Sequence, residues 1–240
     1  MLEKYHKWYS RYLSRDFEML VFGHSGLPVV LFPTAEGRYY DNKDNGLIGS
    51  VEHLLDSGMI KIYCPDSIDC DSWLNWNIHP ADRVKTYMGY ENLVHYDVLE
   101  FVRADSDHRK MILAGCSLGA YYASNISFKY PDYVSAIMCM GGTYDIRQYL
   151  DDYYDDNCYF NNPVDYLPGL EDEWYIERIR KMRIFLGTGK NDICLEENLH
   201  MSSLLNGRGI PHILDMDPQA DHHWYWWKQM FNRFLNGMLA

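Results

Sequence analysis

Ser117 stands in Gly115-Cys116-Ser117-Leu118-Gly119, with the apolar run Met111–Ala114 before it and Ala120-Tyr121-Tyr122-Ala123-Ser124 after it. The pattern predicts a strand that stops, a sharp turn, and a helix that begins. A serine at the tip of such a turn adopts a strained backbone conformation, so the residues two positions either side must be tiny. Gly115 and Gly119 meet that demand. The helix N-terminus supplies unpaired N–H groups and the positive end of the macrodipole, both favourable to an oxyanion forming beside the hydroxyl. Cys116 adjoins the serine but still belongs to the strand, and it is read as a packing residue.

A serine hydroxyl is a weak nucleophile at neutral pH. It needs a base within hydrogen-bond reach, and the base needs an orienting acid. Asp192 follows a run, Arg183–Lys190, that reads as a strand with a glycine-rich end. Asp215 and Asp217, at the end of the last strand, are rival acids, and Asp192 is preferred for its strand end. The base is His222 or His223, which spacing alone leaves open. Asp221-His222-His223 also invites a metal reading, but adjacent histidines diverge and no H-E-x-x-H or similar spacing is present. Neither a metal nor a cofactor is therefore expected.

The elements that must position these groups alternate. Strands are expected at 16–24, 29–33, 61–64, 111–114, 134–140, 183–190 and 211–216, the central ones as unbroken apolar runs. Helices are expected at 46–57, from Pro80 to about Arg103, from about Leu195 to Leu205, and from Asp221 onward. This predicts an α/β fold: a doubly wound, mostly parallel sheet with helices on both faces. In such sheets ligands bind beyond the strands' carboxyl ends, where Ser117, Asp192 and His222 all fall.

Two other stretches draw notice. The loop 65–80 carries Trp73 and Trp76 among polar residues; these wall a binding cleft or cap the core. His79, before Pro80, is read as structural. Segment 144–170 interleaves Tyr144, Tyr149, Tyr153, Tyr154, Tyr159 and Tyr166 with aspartates. It is placed like a cap or lid and hints at a carbohydrate-linked ester, although a wet acidic surface is the plainer and preferred reading.

The bulk properties narrow the partners. A chain of 240 residues suits one domain, 1–240, with a sizeable core. A net charge of −12 argues against nucleic acid. No run approaches about 18 consecutive apolar residues, so no membrane span is expected. The polar start Met1–His6 predicts no secretion signal. The six cysteines form no C-x-x-C pair and several lie in apolar runs, which predicts reduced thiols and a cytoplasmic protein. The expected partner is a small-molecule ester; oligomeric state stays unassigned.

Several stretches together carry a family likeness. They are Arg15-Asp16-Phe17-Glu18-Met19, Phe32-Pro33-Thr34, Asp71-Ser72-Trp73, Ala114–Ala120, Tyr159-Phe160-Asn161-Asn162-Pro163 and His222-His223-Trp224-Tyr225-Trp226-Trp227. With them the chain resembles, over nearly its whole length, the esterase branch of the α/β-hydrolases. That branch includes esterase D-type enzymes (S-formylglutathione hydrolases), feruloyl esterases and mycolyltransferases. The resemblance implies an α/β-hydrolase fold, a serine esterase without cofactor, and Ser117, Asp192 and His222 as catalytic residues. The family ends in Gly-His-Asp-Trp with the catalytic histidine two before the tryptophan, which selects His222 over His223. Oxyanion donors are expected at the Leu118 N–H and in the loop after the early strand 29–33, with Ala35 the expected residue, unless that loop is an ordinary surface turn. Glu36 replaces a more usual small residue in that loop, His223 a usual aspartate, and Asp221 a usual glycine. Glu36, Trp73 and Trp76 are assigned to substrate binding.

Overall fold

The apolar runs become strands covered on both faces. The computed structural model describes residues 1–239. Strands β1 (Glu3–Ser10), β2 (Arg15–Phe22), β3 (Leu27–Phe32), β4 (Ile60–Pro65), β5 (Met111–Cys116), β6 (Val134–Met140), β7 (Arg183–Asn191) and β8 (Ile213–Asp221) form one sheet. Their order is β1-β2-β4-β3-β5-β6-β7-β8. The pairs β1–β2 and β2–β4 are antiparallel, and every pair from β4–β3 to β7–β8 is parallel. Every residue of β4 and β5 is buried, as central strands between two helical layers require.

The helices are α1 (Asp41–Asp44), α2 (Glu52–Asp56), α3 (Pro80–Leu93), α4 (Glu100–Ser106) and α5 (Leu118–Lys129), followed by α6 (Asp156–Tyr159), α7 (Pro163–Gly169), α8 (Glu173–Arg180), α9 (Leu195–Gly207) and α10 (Trp224–Leu239). One core lies between the sheet and α3–α5, α7 and α9, and includes Phe32, Leu113, Tyr121, Ile137 and Met201. The other lies under α2 and α10, and includes Leu31, Ile112, Met138, Trp227 and Phe231. This is the α/β architecture expected from the alternation of elements. No helix among the described residues is long and apolar enough to cross a membrane.

Some local expectations are corrected. Residues 3–10, read only within the polar start Met1–His6, form edge strand β1. Its outer face meets solvent, so no apolar run marks it. The helix expected at 46–57 is broken into a 3₁₀ turn at Gly49–Val51 and the short α2. The helical stretch from Pro80 runs on through a π segment, Val94–Leu99, to Ser106. Strand β8 extends to Asp221, five residues beyond its expected end, so His222 lies in the turn before α10 rather than on the helix.

The tyrosine–aspartate segment is more than an acidic surface. Tyr144 is fully buried, its hydroxyl 3.0 Å from Asn198 Oδ1. Ile146, Leu150, Cys158 and Leu167 join the first core. Burial of one side of the segment anchors it, while Tyr154 and Phe160 stay exposed.

Candidate active site

β5 delivers Ser117 and α5 begins one residue later. Ser117 has φ 55° and ψ −123°, a conformation L-residues rarely adopt. The flanking glycines are forced by contact. A Cβ on Gly115 would stand 2.2 Å from the Gly119 backbone, and one on Gly119 would stand 2.6 Å from the Pro33 carbonyl oxygen. Cys116 is fully buried, and burial pushes its thiol well above the ordinary value. It is a packing residue, unsuited to nucleophilic attack.

β7 and β8 end beside this turn. His222 Nε2 lies 3.0 Å from Ser117 Oγ, and His222 Nδ1 lies 2.7 Å from Asp192 Oδ1. The Asp192 side chain has no solvent exposure and that of His222 only 18%. With Nδ1–H donating to Asp192, Nε2 is the lone-pair nitrogen and accepts from the serine hydroxyl. Cys194 N–H donates to the same Asp192 oxygen at 2.8 Å, fixing the carboxylate. Of the rival groups, Asp215 pairs with Arg233 at 2.5 Å. His223 is exposed, and its Nδ1 accepts from Tyr225 N–H at 3.2 Å at the start of α10.

Two neighbours of this array were not singled out in the sequence. Gly141 has φ 55°, and a Cβ there would come within 2.7 Å of Asp192 Oδ2 and 3.2 Å of His222 Nδ1. Its signal was the Gly141-Gly142 pair closing β6. Trp227, which closes the His222–Trp227 stretch but was given no role, is buried and meets the His222 ring edge-on with centroids 4.8 Å apart.

The loop after β3 is a turn. Gly37 N–H donates to the Thr34 carbonyl at 3.0 Å, and Glu36 has φ 60°. A positive φ at the third residue only is the type II pattern. Among the described residues, neither the Ala35 nor the Leu118 N–H has an acceptor within the protein.

The two tryptophans separate. Trp73 is fully buried, with ring contacts to Tyr87 and Tyr121 at 4.9 and 5.9 Å. Its assignment to substrate binding is corrected, because an indole sunk in the core has no face to offer. Trp76 is 55% exposed and lies under the Arg83 guanidinium at 4.6 Å. Glu36 is exposed at the edge of a cavity of about 410 Å³, also lined by Arg15, Arg38, Asp66, Asp69 and Asp71.

Asp192, Cys194 and His222 carry donor atoms within 4.8 Å of one another, the spacing a metal ion would need. Their chemistry is otherwise committed. The histidine nitrogen and the carboxylate already bond each other, and burial pushes the Cys194 thiol up to about 12, keeping it protonated.

No family model and no curated protein matches the sequence. Solved structures do. A ferulic acid esterase superposes with TM-score 0.77 at 17% identity, covering 100% of this chain and 98% of that one. FphF, a fluorophosphonate-binding serine hydrolase of Staphylococcus aureus, gives 0.76 at 15% identity, with 100% and 98% covered. An S-formylglutathione hydrolase from Agrobacterium tumefaciens gives 0.76 at 14% identity, with 99% and 94% covered. The chain has the α/β-hydrolase fold. At these identities the likeness is one of architecture, and the chemistry of this chain rests on its own side chains.

Proposed function

We propose that the protein is a serine hydrolase that cleaves a carboxylic ester through an acyl-enzyme, without a cofactor. The observation that carries this reading is the continuous array from Ser117 Oγ through the His222 ring to Asp192 Oδ1, at 3.0 and 2.7 Å. Ser117 Oγ attacks the ester carbonyl carbon and its proton passes to His222 Nε2. The imidazolium is stabilised by Asp192. The carbonyl oxygen, now an oxyanion, accepts from the N–H groups of Leu118 and Ala35. Collapse of the tetrahedral intermediate expels the alkoxide, which takes the proton from Nε2. Water, deprotonated by the same imidazole, then releases the acid and restores Ser117.

The sugar-linked reading no longer draws on the tyrosine–aspartate segment, much of which is packed into the core. An acceptor alcohol in place of water would make the same acyl-enzyme a transferase; product analysis with added alcohol separates the two.

Ser117→Ala is expected to lower hydrolysis of a short p-nitrophenyl ester by at least about 10³-fold and to abolish fluorophosphonate labelling, with the thermal midpoint held. A variant that keeps its full rate refutes the reading.

A further inference from the structure

The turn at 34–37 is held from two sides by carboxylates outside it. Thr34 N–H donates to Asp41 Oδ2 at 3.1 Å, and Glu36 N–H donates to Asp69 Oδ2 at 2.5 Å. The peptide between these anchors, Thr34–Ala35, carries the N–H that no protein group accepts. Clamping the peptides on both sides restricts its rotation.

Asp69 is the more telling anchor. It lies beyond β4, 33 residues from Glu36, and is 2% exposed. Its other oxygen accepts from the Ser67 hydroxyl at 2.5 Å, while the Asp69 N–H donates back to Ser67 Oγ at 3.2 Å. The carboxylate is thus pinned by its own loop and spends its free oxygen on one peptide of another. Burial raises its pKa above the ordinary carboxylate value, against the hydrogen bonds that favour the charged form. A buried charge that costs the fold something, and that has no cation among its hydrogen-bond partners, is better explained by what it holds than by stability.

We propose that Asp69 is a positioning residue of the oxyanion hole: by fixing the Ala35–Glu36 peptide it keeps the preceding N–H, that of Ala35, unclaimed and fixed for the transition-state oxygen. The proposal rests on the serine-hydrolase reading given above. It deepens that reading by naming a group that acts through another and never touches substrate. Because the Ala35 N–H matters most when negative charge develops, loosening it lowers kcat and leaves KM almost alone.

The experiment compares wild type, Asp69→Ala, Asp69→Asn and Ser67→Ala. Each is assayed by steady-state hydrolysis of a p-nitrophenyl ester and by the rate of inactivation by a fluorophosphonate, well below the melting temperature. Asp69→Ala is expected to lose about 10- to 100-fold in kcat with KM within about twofold, and to be phosphonylated more slowly by a similar factor. Asp69→Asn keeps an acceptor for Glu36 N–H and recovers to within a few-fold of wild type. Ser67→Ala, which frees the far oxygen of Asp69, shows the same pattern at smaller size. It serves as the test should Asp69→Ala fail to fold. Folded Asp69→Ala or Ser67→Ala protein with wild-type kcat and phosphonylation rate overturns the proposal. So does a loss that appears in KM alone, or one that follows the melting temperature and vanishes on cooling. The two readings fail differently. A wild-type enzyme that is not phosphonylated at Ser117 removes the serine-hydrolase reading itself. A reactive wild type with equally reactive variants removes only the clamp.

Discussion

The Ser117 turn and the 34–37 turn meet the same requirement, a backbone conformation that most residues avoid, by opposite means. At Ser117 the constraint is local steric fit: Gly115 and Gly119 are small because neighbouring backbone occupies the space their Cβ atoms would need. At Glu36 the φ of 60° is held although the residue is not glycine, through hydrogen bonds that the turn's N–H groups donate to the carboxylates of Asp41 and Asp69, outside the turn. The first turn is specified by residue type within five positions. The second is specified by tertiary structure, and its own residues say little. Chemistry that uses a side chain can be written locally, whereas chemistry that uses a peptide N–H depends on whatever holds the peptide.

The steric half of this contrast is broken by Gly115→Ala. The new Cβ would sit 2.2 Å from the Gly119 backbone and 2.8 Å from Ala120 N, atoms that cannot swing aside. Hydrolysis is expected below about 1% of wild type, with stability reduced by about 3 kcal/mol in a urea titration, the scale of overpacking a tight site. Activity near wild type would mean the turn has slack and that its glycines are dispensable.

That difference explains what could be read in the chain. Ser117 was legible because its neighbours are sterically forced. Asp192 and His222 were legible because strand ends and chain order bring them to one sheet edge, although the true helix start after His222 was not. Asp69 left no pattern, since a carboxylate bonded to a peptide 33 residues away has neither periodicity nor motif. Trp73 and Trp76 looked alike in one polar loop, and only packing against Tyr87 and Tyr121 sends the first inward. Edge strand β1 was hidden for the same reason that central strands were plain: it has one exposed face and little apolar run to show.

The hydrogen-bonding half is sharpened by Ala35→Pro. Ala35 occupies the second position of a type II turn, where the fixed φ of proline is at home. The substitution removes the one N–H the turn leaves unclaimed and keeps the shape. We expect kcat to fall about 10²-fold, with KM and thermal midpoint little changed. A proline variant with unaltered kcat would place the second oxyanion donor elsewhere and leave Asp69 with nothing to position.

The smallest effect separates strain from function at the same turn. Glu36 has an exposed side chain but a backbone in the left-handed region, which costs an ordinary residue about 1–2 kcal/mol. Glycine adopts that region freely but loses about 0.5–1 kcal/mol more chain entropy on folding. Glu36→Gly is therefore expected to raise stability by under about 1 kcal/mol in a denaturant titration, with kcat nearly constant because the Asp69 bond runs to the peptide and survives. A change in KM confined to esters with a charged alcohol portion would assign the carboxylate to substrate contact at the cavity edge. A lower stability would mean that the αL backbone is not strained here, and that the exposed carboxylate is what holds this turn.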